Sequence, residues 1–263
     1  KRRKLRLFLR EEVEDGDRLP DAGTITYKLG KKVPGPPEPI QVVRPDAADL
    51  RPTLRIVSLN ASDSRMGVVP DVYIRFLQAI RPDVVSFQEV REWSPDRTLE
   101  FLADVLPLPD GRAWTVVQVD DVQTASAHPV LAAAAVDANL AAHIALPAEL
   151  GGAGLVLFNA HLPCCDNDEG RDREVDNLMA TWRDLLEGVG PFPIADGDPM
   201  VLLGDMNLVG YRRQFLTLRD RAFIDPQNGP DFAPGREEGS LREAPLRHTH
   251  RRLIHTWRRA ESE

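Results

Sequence analysis

Five side chains in this sequence, Asn60, Glu89, His161, Asp205 and Asn207, stand where short apolar runs end, and together they can handle a cation, a water and a proton. Mg²⁺ favours hard oxygen ligands in octahedral geometry, commonly one or two carboxylates with retained waters and the phosphate oxygens of a substrate. Glu89 supplies a carboxylate and Asn60 a neutral oxygen. Asp205 and Asn207, two apart in the Gly204-Asp205-Met206-Asn207 turn, can orient or deprotonate a water. His161 can donate a proton, or a hydrogen bond to a non-bridging phosphoryl oxygen. A metal in this company would polarise a phosphoryl group and stabilise the leaving oxygen. Taken singly, each residue has an ordinary structural reading: an Asx turn for Asp205 and Asn207, a solvated strand end for Glu89, a hydrogen-bonded structural histidine for His161, a turn for Asn60. It is the ordered set that favours chemistry.

The elements that must position them are legible as runs rich in Val, Ile, Leu and Phe. Leu54–Leu59, Val84–Phe87, Leu155–Asn159 and Met200–Leu203 have the look of buried strands. Side chains in a strand alternate faces, so Asn60 falls with Leu54 and Ile56, Glu89 with Val85 and Phe87, His161 with Leu155 and Leu157, and Asp205 with Val201 and Leu203. If those apolar faces pack together, the polar ends converge at one end of the core. Between the strands, Pro70–Ile80 opens with Pro and Asp, favourable in a first helical turn, and carries Val72, Phe76, Leu77 and Ile80. Arg173–Leu186 sets Val175, Leu178, Met179, Trp182, Leu185 and Leu186 on one helical stripe. Strands apolar on both faces alternating with amphipathic helices predict a layered α/β domain. The alanine-rich stretch from Thr124 to Leu146 is compatible with strand or helix.

The 263 residues, 42% of them hydrophobic, suffice for one large domain, and no run approaches the ~18 apolar residues of a membrane span. A net charge of −8 excludes a global basic field and argues against a passive nucleic-acid binder. The pairs Arg212-Arg213, Arg251-Arg252 and Arg258-Arg259 read as solvated surface, as does Arg91. The only cysteines, Cys164 and Cys165, are adjacent; neighbours are too close for an unstrained bridge, two sulfurs cannot complete a zinc site, and burial as small apolar side chains is expected of them. His128 and His143 lack partners at metal-ligand spacing, and His248 and His250 lie in an arginine-rich stretch. Residues 1–53 differ in character: a basic start, an acidic run at Glu11–Asp15 and the proline-rich Val33–Pro39 predict an N-terminal appendage with an extended linker, followed by the main domain over 54–263. The chain starts at Lys1 rather than Met, as a processed or partial chain would, and no targeting segment is visible.

From Leu54 to Trp257 the sequence resembles the endonuclease/exonuclease/phosphatase superfamily, of pancreatic-deoxyribonuclease-like fold. The resemblance rests on four landmarks in order: Arg55-Ile56-Val57-Ser58-Leu59-Asn60, Pro82-Asp83-Val84-Val85-Ser86-Phe87-Gln88-Glu89-Val90, Asn159-Ala160-His161-Leu162-Pro163 and Gly204-Asp205-Met206-Asn207. It implies a four-layer α/β sandwich (α+β) of two packed mixed sheets flanked by helices, dependence on Mg²⁺ or Mn²⁺, and hydrolysis of a phosphoester, whether nucleic acid or a small or lipid phosphoester. It further implies Glu89 as principal metal ligand with Asn60 beside it, His161 at the scissile phosphate, Asp205 on the attacking water, Asn207 on the phosphate, and a structural role for Asp225. The resemblance also implies closing strands and a Ser-Asp-His-like segment. His255-Thr256-Trp257 matches its lead-in, but the chain stops at Glu263. The expectation is therefore an active enzyme whose C-terminal strands are missing from this sequence. The alternative is a catalytically silent binding or scaffold module that retains the fold.

Overall fold

The structure, a computed structural model, describes residues 53–109, 111–208, 212–220 and 223–231. The N-terminal appendage, His248, His250, His255 and the expected closing strands lie outside them. Two four-stranded sheets make up the core. The first runs in the order β1-β2-β4-β3, from β1 (Ile56–Asn60), β2 (Val84–Gln88), β3 (Thr115–Val119) and β4 (Val122–Ser126). The second runs β5-β6-β7-β8, from β5 (Val130–Val136), β6 (Asn139–Ala145), β7 (Gly154–His161) and β8 (Met200–Asp205).

Each sheet has one parallel pair, β1 with β2 and β7 with β8, and is otherwise antiparallel. A parallel pair needs a crossover, and both are helical: α1 (Pro70–Ile80) in the first sheet and α3 (Asp168–Leu186) in the second. The expected helices are thus present. Within α1, however, Val72 is 54% exposed and Leu77 alone is fully buried. The alanine-rich stretch is strand. Alanine's helix propensity is overridden by pairing along β6, which is buried from Asn139 to Ile144. A third helix, α2 (Pro95–Val105), has clear local cause: Ser94 caps it by accepting from Arg97 N–H, and Pro95 occupies its first turn. A short α4 (Arg212–Asp220) follows β8.

Helices cover the outer faces. Val57, Val85 and Phe87 pack with Leu77, Leu102 and Val105 on the first sheet, and Val156 and Phe158 pack with Val175, Leu178, Met179 and Trp182 on the second. Between the sheets lie Val84, Ile144, Leu155 and Leu157, with Ile56, Val201 and Leu203 against them. At about 1.5–3 kcal/mol per buried aliphatic side chain, this layer is the main force pressing the sheets together. The result is the four-layer sandwich of two mixed sheets flanked by helices.

Asn159, wholly buried in β7, is the polar fastening through that layer. Its Nδ2 donates to Phe87 O (3.1 Å) and Gln123 O (2.9 Å), and its Oδ1 accepts from Gln88 Nε2 (2.7 Å). The landmark residues Gln88 and Asn159 thus join the sheets rather than carry chemistry. Among the described residues nothing pairs with the outer edges of β1 and β8, and no helix is long and apolar enough to cross a membrane.

Candidate active site

Register alone carries three of the five residues to one end of the sandwich. Asn60 ends β1 on the face of Ile56, and His161 pairs with Asp205 across β7 and β8 on the face of Leu157 and Leu203. Glu89 arrives differently. Its parity partners Val85 and Phe87 face the helices, whereas Val84 faces the second sheet. Alternation therefore points Glu89 the wrong way, contrary to the reading from the sequence. It is redirected because its backbone turns left-handed at φ 59°, an unfavourable state for a residue with a Cβ. Ser62, Asp63 and Ser64 are left-handed too, at φ 48°, 57° and 60°, and their N–H groups close onto Asn60 and Glu89. Ser62 N donates to Asn60 Oδ1 (2.8 Å), Asp63 N to Glu89 Oε2 (2.7 Å) and Ser64 N to Glu89 O (2.7 Å). Strained backbone is concentrated where the carboxylate is aimed.

The groups meet across the two sheets. Asn60 Nδ2 donates at 2.9 Å to both Glu89 Oε1 and Asp205 Oδ2, and His161 Nε2 lies 3.8 Å from Glu89 Oε1. Glu89, His161 and Asp205 each offer a ligand atom within 4.8 Å of the others. Two ligands of one Mg²⁺ at ~2.1 Å lie at most about 4.2 Å apart, so small side-chain movements bring the trio to coordinating distance. Two carboxylates and a nitrogen, from β7, β8 and the turn after β2, fit a hard divalent cation. Asn60 presents its nitrogen to the carboxylates while its oxygen is held by Ser62, so ligation through Oδ1 requires the amide to turn over. Asn207, at φ 45°, donates its N–H to Asp205 Oδ1 (3.1 Å) and its Nδ2 to Leu162 O (2.8 Å), which fixes the Asp205 turn.

The sequence reading missed Asp121. It sits in the two-residue turn Asp120-Asp121 joining β3 to β4, is buried, and places both carboxylate oxygens 3.1 Å from His161 Nδ1. Arg91 Nε donates to the same carboxylate at 3.1 Å; the arginine is exposed, as expected of it, and still reaches the site's surroundings. The only sequence signal was a pair of aspartates between Val-rich runs, which reads as a solvated turn. Burial alone would lower the basicity of His161, but the hydrogen bond and charge of Asp121, with Asp205 and Glu89, outweigh it and hold the imidazolium proton above the ordinary histidine range. Burial would raise Asp121, yet His161 and Arg91 together hold its carboxyl below the usual range. The His161 contribution to stability is complete below the unfolded histidine pKa and is lost as pH rises through the elevated folded value. Asp121→Asn should therefore move the basic limb of the pH–rate profile to lower pH and slow turnover by about 10–100-fold. An unmoved limb would remove Asp121 from this role.

The remaining candidates fall outside the cluster. His143 pairs with Asp198 (3.0 Å), stacked on Phe192, at the far end of the second sheet. Asp225 accepts from Gln227 N–H (2.9 Å) in a turn, as a structural residue would. Cys164 and Cys165 are exposed, not buried, because the loop after His161 runs over the surface with its carbonyls drawn to Arg171.

The chain matches no sequence-family profile and no curated protein. It is similar to solved structures. The human Nocturnin catalytic domain aligns at TM-score 0.49 and 16% identity over 65% of this chain and 70% of that one. An endonuclease/exonuclease/phosphatase family protein of Bacteroides thetaiotaomicron aligns at 0.48 and 14%, over 64% and 68%. A humanized TDP2 of D. rerio aligns at 0.41 and 19% over 59% of this chain, which spans 63% of that protein. Likenesses at these values say nothing of substrate.

Proposed function

We propose that this chain is a Mg²⁺- or Mn²⁺-dependent phosphoesterase that hydrolyses its substrate by in-line attack of an activated water. The observation that carries the reading is the meeting of Glu89 and Asp205, from opposite sheets, on one Asn60 nitrogen, with the Asp121-tethered His161 beside them. Two carboxylates held this close repel each other, an arrangement a cation relieves. A bound divalent ion would neutralise charge on the phosphoryl oxygens and on the leaving oxygen.

Glu89 is the principal ligand and Asn60 its neighbour. Asp205 orients the attacking water and takes its proton. His161 keeps its own proton through Asp121, which makes it a donor to a phosphoryl or leaving oxygen ahead of a metal ligand. Asn207 holds the Asp205 turn in line and stands next to the phosphate.

Hydrolysis of a generic phosphodiester and of plasmid DNA by the full chain, with Mg²⁺, with Mn²⁺ and with chelator, tests the proposal. Turnover should vanish on chelation and return with either ion. Cleavage of the small diester without nicking of the plasmid would assign a compact phosphoester. The absence of metal-dependent turnover on both would sink the enzyme reading in favour of a silent binding module.

A further inference from the structure

We infer that Cys164 and Cys165 form a redox-sensitive vicinal dithiol, oxidised to an internal disulfide by exchange with a low-molecular-weight disulfide. Both thiols are exposed, their sulfurs stand 2.6 Å apart with no atom between, and the sequence holds no third cysteine to compete. Thiol exchange requires a thiolate, access and a neighbouring thiol to resolve the mixed disulfide; access and the neighbour are present. Since the hydrogen bond with Cys165 pushes the Cys164 thiol up, exchange is favoured by alkaline pH. In the first step one thiolate attacks the reagent's disulfide and releases one reagent thiol. In the second the neighbouring thiolate displaces the other. The chain gives up two protons and two electrons, and the reagent leaves as two thiols.

The bond would be reversible rather than structural. Unstrained disulfides join Cα atoms about 4.4–6.8 Å apart, whereas neighbours across a trans peptide are held at ~3.8 Å. Exposed, strained bridges are the readily reduced ones.

The loop's attachments give the switch its reach. Arg171, almost wholly buried, donates to Pro163 O (2.6 Å) and Cys165 O (2.9 Å), and it also pairs with Asp168. One residue before Pro163, Leu162 N donates to Asp205 O (3.0 Å) and Leu162 O accepts from Asn207. Closing the ring must rotate the Cys164–Cys165 peptide, and Cys165 already stands left-handed at φ 63°. That rotation turns the Cys164 carbonyl away from Asn167 N–H (3.4 Å) and strains the two flanking peptides whose carbonyls Arg171 holds, and with them the segment tied to the Asp205 turn.

The test equilibrates the full chain in glutathione buffers of increasing oxidised fraction, then traps free thiols and reads intact and peptide masses. The expected product has lost two hydrogens within the Cys164-Cys165 peptide and is restored by dithiothreitol. Thiols that stay reduced in the most oxidising buffer, or a lasting glutathione adduct without the internal bond, would overturn the proposal. A second arm rests on the phosphoesterase reading: the oxidised chain should turn over the diester about tenfold more slowly, as small displacements near reacting groups do. The double variant Cys164→Ser/Cys165→Ser should keep the reduced rate and ignore oxidant, because no thiol is left to react. Equal rates in both redox states would refute the coupling. No turnover in either state would instead count against the enzyme reading, while the mass result stands on its own.

Discussion

Asp205→Ala should lower phosphoester turnover by about three orders of magnitude, while the fold remains as stable as before or becomes more so. General acid–base groups contribute about 10²–10⁴-fold, and the proposed function gives Asp205 the attacking water. The stability half of the prediction follows from its neighbour. Asp205 and Glu89 share one Asn60 nitrogen, so removing the Asp205 carboxylate relieves repulsion while it costs the hydrogen bonds from Asn60 and Asn207 and an attraction to His161. Glu89→Ala should be equally inactive for the complementary reason. Turnover at saturating metal, far-UV circular dichroism and thermal melting of the purified variants decide the matter. Near-normal activity in either variant would refute the role assigned to that residue.

Gly204→Ala should have the largest effect on stability of any single methyl added to this chain's described glycines on the sheets. Gly204 lies in β8 at φ 134°, opposite Ala160 of β7. A Cβ there would fall on the Ala160 carbonyl oxygen and within 2.7 and 2.8 Å of its backbone N and C. Backbone cannot yield as a flexible side chain can, so the strands must part. More than about 4 kcal/mol is expected, against total stabilities of roughly 5–15 kcal/mol. For a domain of this size that corresponds to a fall in melting temperature of roughly 8–16 °C. Gly111→Ala provides the control. It has a positive φ of 71° but nothing within 4 Å of the added carbon, so it should cost only about 1 kcal/mol. Equal melting temperatures for the two variants would show that the close approach of β7 and β8 is not what demands glycine.

The strands that carry the site were readable because each is apolar on both faces and stops abruptly at a polar residue. The crossover helices were readable from Pro70 and from the Val175–Leu185 stripe. Three features were not legible for physical reasons. The direction of Glu89 depends on a left-handed backbone that alternation cannot express. Asp121 is a turn aspartate like many others until His161, forty residues away, is folded onto it. The strand character of Ala132–Ala135 comes from pairing with β6, a non-local contact that outweighs alanine's local preference. Gln88 and Asn159 show the opposite lesson: polar landmarks inside apolar runs proved to be fastenings between sheets rather than chemical groups.

That fastening makes the candidate site a gauge of how tightly the two sheets are docked. Asn60, Glu89 and Asp121 ride on one sheet, His161 and Asp205 on the other, and the Asn159 bonds and a thin layer of aliphatic side chains help to keep the halves in step. A loosened, compact state could retain every strand and helix and still have no assembled centre, because its parts would drift with their separate sheets. The competence proposed for this cluster is therefore a property of tertiary register, lost once the two sheets part even where each keeps its own strands.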